Sequence, residues 1–310
     1  MGAPERSSEV WSFPRTQAKL ENPGKPLPTD DGKLARFLPY FDWRLAGVVP
    51  RVRNQQNCNA CWAFTAVAAF ESAIMKNSQE YKPEVRELSD GVKMIQAVLS
   101  VQTVLDCVSE GNCDGGWYGT AFAHFIDNGS PVKPLESFEV ADRDFIGKKG
   151  RCTESERVGI QAVAWDFVAD RPERIPSIKK LKESLLKHGP LAICITRDER
   201  LNKYKGGVFT ERIGPRERRS RMPNHAVLLT GWDDKKRAWI IQNSFGEDWG
   251  SSCVSRKSLK ISPVVGKLLK DRGGCMFIRW GSNNVGKFAA WIEAPIFEMK
   301  PVTWPEGQNP

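Results

Sequence analysis

Residues 56 to 70 read QNCNACWAFTAVAAF, and this run restricts the fold more than any other in the chain. From Cys61 to about Met75, the residues Trp62, Ala63, Phe64, Ala66, Val67, Ala69, Phe70, Ala73 and Ile74 cover nearly every face of a helix. A helix that is apolar all round is buried on all sides, so the rest of the protein must be built around it. Asn57 and Asn59 stand just ahead of it as capping candidates. Cys61 therefore falls in the first turn of a central helix, with Cys58 shortly before it. That cysteine pair admits three readings: a redox dithiol, half of a metal site, or one structural cysteine beside one nucleophile.

With 310 residues the chain can form one large domain or two small ones sharing an interface. No apolar run approaches the ~18 residues needed to span a bilayer, so no membrane span is expected. The opening stretch MGAPERSSEVWSF lacks the basic-then-apolar build of a secretory signal. The formal charge is +9, with a dense block at Arg216, Arg218, Arg219 and Arg221. No aromatic stacking platform interleaves with that block, so it reads as a solvated or mobile loop, and nucleic acid is not an expected partner. Eight cysteines are many for a reducing cytosol. They point to disulfides and an oxidising compartment: secreted, lysosomal or vacuolar, or periplasmic. Asn128-Gly129-Ser130 is a short glycosylation sequon, followed directly by Pro131.

Residues 1–37 are polar, rich in Pro and Gly, and read as a tail or short pro-segment. Helical periodicity runs through residues 84–106, ending in LSVQTVLDC, and returns from Tyr118 to Asp127. Between them lies the loop NCDGG, residues 112–116, whose glycines permit close backbone approach. After residue 160 the texture changes. Ser177–His188 is an amphipathic helix stopped by Gly189-Pro190. Strand-like runs occupy 163–168, 191–196, 225–231, 238–243, 276–280 and 288–292. Residues 251–274 read as an insertion, and 297–310 as a Pro-rich tail. The pattern predicts an α+β fold, with a mainly helical half over 38–160 and a β-rich half over 161–296.

A thiol attacks as its thiolate, which a helix N-terminus and a nearby imidazolium both favour. Of three histidines, His124 in a helix and His188 at a helix end fit ordinary structural roles. His225, in PNHAVLLTGW, sits at the mouth of a strand, and Asn243, in IIQNSFGEDWG, ends the next one. In an antiparallel pair the Asn243 carbonyl oxygen can accept the second ring N–H of His225 and fix the tautomer. Gln55 and the backbone N–H of Cys61 can hold an oxyanion.

The motifs NQQNCNACWAF, NCDGG, PNHAVLLTGW and QNSFGEDWG, in this order, resemble the papain family of cysteine peptidases. PYFDWRLAGVVPRVRNQ, QTVLDC and YKGGVF add to the resemblance, which spans roughly residues 38 to 296. It implies a helical left domain, an antiparallel β-barrel-like right domain, and an active site in the cleft between them. By position, Cys61 is the nucleophile, His225 the general acid/base, Asn243 the orienting residue and Gln55 the oxyanion donor. Gly115, Gly116, Cys194, Asn224, Phe245 and Trp249 are the implied substrate-cleft residues, with Trp249 on the leaving-group side. Cys58 pairs with Cys113 and Cys107 with Cys152 by the same correspondence. Cys253 and Cys275 flank the insertion and can close it as a third disulfide, an inference from this sequence alone. Cys194 is left over as a small apolar residue.

Several positions depart from the family pattern. Asn59-Ala60 replaces Gly-Ser before the nucleophile, Phe245 replaces a tryptophan that shields the Asn–His hydrogen bond, and Arg216 stands where a cysteine is usual. The expected reaction is peptide hydrolysis through an acyl-enzyme, with no cofactor and no metal. A peptide or protein substrate, and a protein inhibitor or pro-segment, are the expected partners. A transpeptidase or ligase using the same groups, and a catalytically silent binding protein with this fold, are the competing classes.

Overall fold

The computed structural model of the chain describes residues 38–79, 99–129, 145–152, 160–254, 269–270 and 272–295. The two tails, much of the region read as helical before residue 99, Ser130 of the sequon and most of the 251–274 insertion lie outside the described residues.

Helix α1 spans Cys61–Gln79, and its residues from Trp62 to Met75 are all buried. It is followed by α2, Val101–Cys107, and α3, Tyr118–Asp127. Ser100 caps α2 by accepting from the Thr103 N–H. The expectation for α1 was different. Neither Asn57 nor Asn59 caps it: Ala60 supplies the first accepting carbonyl, to Ala63 and Phe64 at 2.8 and 3.1 Å. With no side chain on them, the first amides of the helix stay available to the sulfur of Cys61.

The second half is a mixed sheet. Its strands are β1 (Tyr40–Asp42), β4 (Ala164–Phe167), β5 (Leu191–Ile195), β6 (Val208–Phe209), β7 (His225–Asp233), β8 (Ala238–Gln242), β9 (Cys275–Arg279) and β10 (Lys287–Glu293). The order is β4-β10-β5-β7-β8-β9-β6, with β1 adding onto β7. All pairs are antiparallel except β6 with β9, and the sheet does not close into a barrel among the described residues. The α+β class stands, with an open sheet in place of the barrel-like one expected. Two short strands, β2 (Gly111–Asn112) and β3 (Gly115–Gly116), form a separate hairpin. Gly231 of β7 faces the Phe41 carbonyl of β1 so closely that a Cβ there would collide with it.

Strand alternation divides the sheet between two cores. Cys194, Ala226, Leu228, Phe288 and Ala290 turn toward α1 and the helical half. Ile193, Ile195, Val227, Leu229 and Ala289 turn the other way, against Leu181 and Leu185 of α4, which spans Ile178–His188. Trp232, Trp239 and Trp249 fill that second core. One face of the sheet thus packs directly on α1, which brings the start of β7 beside Cys61 at the start of that helix.

Two short helices complete the frame: α5 (Glu199–Asn202) and α6 (Pro215–Ser220). The basic block is therefore helical where a loop was expected. Proline suits a first helical position, and Glu217 meets Arg221 at 2.6 Å across one turn. Three disulfides, Cys58–Cys113, Cys107–Cys152 and Cys253–Cys275, tie loops to their neighbours, and Cys61 and Cys194 are free.

Candidate active site

An open cleft of about 660 Å³ lies where α1, β3, the end of β5 and the start of β7 converge. Cys61, Gly115, Gly116, Cys194, Arg197, Asn224 and His225 line it. Cys61 is half-buried and opens α1, so the backbone N–H groups of Cys61 and Trp62 point at its sulfur. The N–H of Ala226, next to the histidine, does the same.

His225 is buried at the first position of β7. Its Nε2 donates to the Asn243 Oδ1 at 2.7 Å, and its Nδ1 is buried with no hydrogen-bond partner among the described residues. Asn243 follows the last residue of β8, so the β7–β8 hairpin delivers both side chains to one end of the sheet. Its oxygen also accepts the Ser244 N–H at 2.9 Å. Phe245 stacks on the imidazole with ring centres 4.9 Å apart, and Trp249 meets Phe245 edge-on at 5.5 Å. Neither aromatic ring, nor Asn243 itself, lines the cleft. Trp249 is buried and spends its indole N–H on the Leu201 and Asn202 carbonyls.

Gln55 is also buried and outside the cleft lining. Its Nε2 donates to the Cys58 carbonyl at 2.8 Å, and its Oε1 accepts from the Ser244 hydroxyl at 2.7 Å. An amide carries two N–H donors, so one remains for an oxyanion. The Gln55 N–H donates to the Ser244 carbonyl at 2.8 Å, and the Gly246 N–H to the Arg53 carbonyl at 3.0 Å. These bonds stitch the loop before Cys61 to the loop carrying Asn243. A buried ion pair holds the first loop to α1: Arg53 donates to both carboxylate oxygens of Glu71 at 2.6 and 2.7 Å, and Glu71 also accepts the Leu99 N–H at 2.8 Å.

The glycine loop is shaped by Trp62. A Cβ on Gly116 would lie 2.5 Å from the buried indole, whereas one on Gly115 would meet nothing. Gly115 instead needs its backbone angle, φ = 145°. Cys194 sits on the cleft wall, its thiol 3.8 Å from the Tyr118 hydroxyl, which donates in turn to the Phe288 carbonyl. Burial pushes the Cys194 thiol up to about 12, so it remains a neutral apolar group. Asn224 accepts the Arg197 N–H at 2.7 Å and donates to the Arg197 carbonyl at 3.2 Å.

Electrostatics in the cleft follow from burial. It raises the Cys61 thiol, against the pull of the three amides and Arg197. It lowers His225 to about 4, against the hydrogen bond to Asn243, and Arg197 lowers it further. Neither group is charged alone at neutral pH. Moving the proton from sulfur to Nδ1 creates both charges together, and each then has a partner.

Ser244, Glu71 and Arg197 were not foreseen as parts of the site. A glutamate inside an otherwise apolar helix was the one available signal, since a buried carboxylate needs a partner.

Residues 38–259 match the family model described as papain family cysteine protease. The chain belongs to the papain family of cysteine proteases. It is 31% identical over 237 residues to cathepsin 7 of Rattus norvegicus, covering 73% of this chain and 62% of that protein. It is 31% identical over 245 residues to a cysteine proteinase of Theileria parva, covering 76% and 47%. Against ananain of Ananas comosus the figures are 29% over 241 residues, covering 76% and 60%. The matched region thus spans about half to three-fifths of these relatives. Among solved structures, the bromelain protease from Ananas comosus in complex with the E64 inhibitor aligns with a TM-score of 0.59 at 24% identity, covering 83% of this chain and 99% of that one. Digestive procathepsin L 3 of Tenebrio molitor gives 0.57 at 22%, covering 82% and 69%. Both likenesses support the papain-like α+β fold.

Proposed function

We propose that the chain hydrolyses peptide bonds through an acyl-enzyme on Cys61. The observation that carries this reading is the buried His225 ring, held through Nε2 by Asn243 with Nδ1 unpartnered, in one cleft with a free cysteine at a helix N-terminus. The proton of Cys61 passes to Nδ1 and the sulfur attacks the peptide carbonyl. The Cys61 N–H and the free N–H of Gln55 receive the developing oxyanion, each worth on the order of 3 kcal/mol in the transition state. His225 returns the proton to the leaving amine, then takes one from the water that releases the acyl group. Asn243 keeps the ring in register. Gly115 and Gly116 offer backbone for an extended peptide. The three disulfides support an oxidising compartment as the working location.

Profiling a peptide library with the wild-type chain and Cys61→Ala tests the reading. Turnover should vanish in the variant while peptide binding persists, and a thiol-directed epoxide should label Cys61 alone of the two free cysteines. No adduct and no turnover at neutral pH would leave a silent binding protein. Adding an amine nucleophile separates hydrolysis from peptide-bond synthesis, which uses the same groups.

A further inference from the structure

Among the described residues that line the cleft, Arg197 is the one lysine or arginine, and the proposed chemistry does not use it. Arg197 stands just past β5, and its guanidinium lies over the Phe245 ring at 5.0 Å, the same ring that stacks on His225. Asp198 and Glu199 line the cleft too, yet no carboxylate is within ion-pair distance of the guanidinium among the described residues. Asp198 is occupied in capping α5, accepting the Leu201 N–H at 2.8 Å.

The segment that bears this charge is anchored on both sides. Asn224 holds the Arg197 backbone through its N–H and its carbonyl. Asn283 donates to the Thr196 carbonyl at 2.8 Å and Asn284 to the Thr196 hydroxyl at 3.1 Å, and both asparagines are buried. These bonds fix the backbone from which the Arg197 side chain projects.

We propose that Arg197 is a specificity-determining residue, and that its guanidinium receives a carboxylate carried by the leaving fragment of the substrate. This rests on the peptidase reading above for its direction. The leaving amine takes its proton from His225, so the substrate beyond that amine begins at the imidazole and runs toward Arg197, which lines the cleft beside it. A carboxylate there accepts charge-assisted hydrogen bonds from the planar guanidinium fork. It has two sources: an Asp or Glu side chain directly after the scissile bond, or the free C-terminus of a substrate with one residue beyond it.

The test uses the full chain and two pairs of peptides that are otherwise identical in sequence. One pair carries Glu or Gln directly after the scissile bond, with a blocked C-terminus. A second pair ends one residue after the bond in a free carboxylate or a carboxamide. In at least one pair the acid should be favoured in kcat/KM by about tenfold, the scale of one partly solvated charge-assisted contact. Arg197→Gln should bring that ratio close to one, and Arg197→Lys should retain part of it. Ratios within each variant cancel any general change in activity. Preference confined to the first pair identifies acidic-residue selectivity, and preference confined to the second identifies carboxypeptidase action. The same pairs bound to Cys61→Ala report the contact without turnover. Turnover with both ratios near one in wild type overturns the inference and leaves the peptidase reading intact. Tighter binding of the acids to Cys61→Ala, abolished by Arg197→Gln, with no turnover in wild type, removes the peptidase reading and retains the carboxylate site.

Discussion

The depressed imidazole gives a quantitative test of the buried catalytic environment. His225 is 2% exposed, and burial holds it at about 4. A histidine in an unfolded chain titrates near ~6.5. Between those values the unfolded chain binds a proton that the folded site refuses. Stability should therefore be full above about pH 6.5, fall as pH drops to about 4, and level off below. The interval corresponds to about 3 kcal/mol. In the intact site the Cys61 sulfur can share the proton, so the measurement belongs on Cys61→Ala, compared with Cys61→Ala/His225→Gln. Urea unfolding of both proteins from pH 7.5 down to 4 supplies the free energies. The histidine protein should lose about 3 kcal/mol more than the glutamine protein across that range. His188 is also lowered, chiefly by burial, but it is common to both proteins and cancels in the difference. Parallel curves would mean that the buried ring binds protons as readily as a free one. The reasoning that only joint charging of sulfur and ring produces the ion pair would then fail.

Three further outcomes follow from distances in the site. Gly116→Ala drives a methyl group to 2.5 Å from the Trp62 indole and should cost about 1–3 kcal/mol by thermal melting, with a raised KM as β3 shifts. An unchanged melt would remove Trp62 as the reason for glycine there. Glu71→Ala removes the buried carboxylate shared by Arg53 and the Leu99 N–H and should cost about 3–5 kcal/mol in chemical denaturation, whereas an exposed pair such as Arg221–Glu217 should cost under about 1 kcal/mol. For the oxyanion donor, Gln55→Ala should lower kcat about 100-fold, and Ser244→Ala should lower it less with little change in KM, because Ser244 acts only by holding the Gln55 amide. Equal losses from the two would deny Gln55 a direct contact with the reacting carbonyl.

Local pattern carried much of the fold. The all-round apolar run 61–75 reads as a buried helix because burial on every side leaves no polar stripe, and α1 is that helix, extended to Gln79. Six strand-like runs after residue 160 match β4, β5, β7, β8, β9 and β10 to within a few residues. The elements not foreseen are the short ones. β1, β2, β3 and β6 are two or three residues long and too brief for alternation to register. β1 and β6 pair through long-range contacts, with β7 and β9, while β2 and β3 form a hairpin only two residues deep. The cap on α1 was misplaced for a chemical reason: asparagine side chains are good caps, but here the helix-end amides face the thiol.

The same distinction separates the parts of the site. Cys61, His225 and Asn243 each carry a recognisable chemical type at an element boundary, so motif and strand order suffice to nominate them. The belt that aligns them has no such signature. Gln55 and Ser244, and likewise Arg53 and Gly246, are remote in sequence and meet through ordinary backbone and hydroxyl hydrogen bonds. That belt crosses from the loop ahead of α1 to the loop after β8. Cys61 stands on α1 and the His225–Asn243 pair on the sheet, so their alignment depends on the loops that join helix to sheet as well as on the packing between them. A hydrogen-bonded belt of buried groups resists sliding because each bond broken leaves an unsatisfied polar atom, at roughly 1–3 kcal/mol apiece. Ser244, an unremarkable residue in the sequence, joins this belt twice, its hydroxyl donating to the Gln55 side chain and its carbonyl accepting the Gln55 N–H.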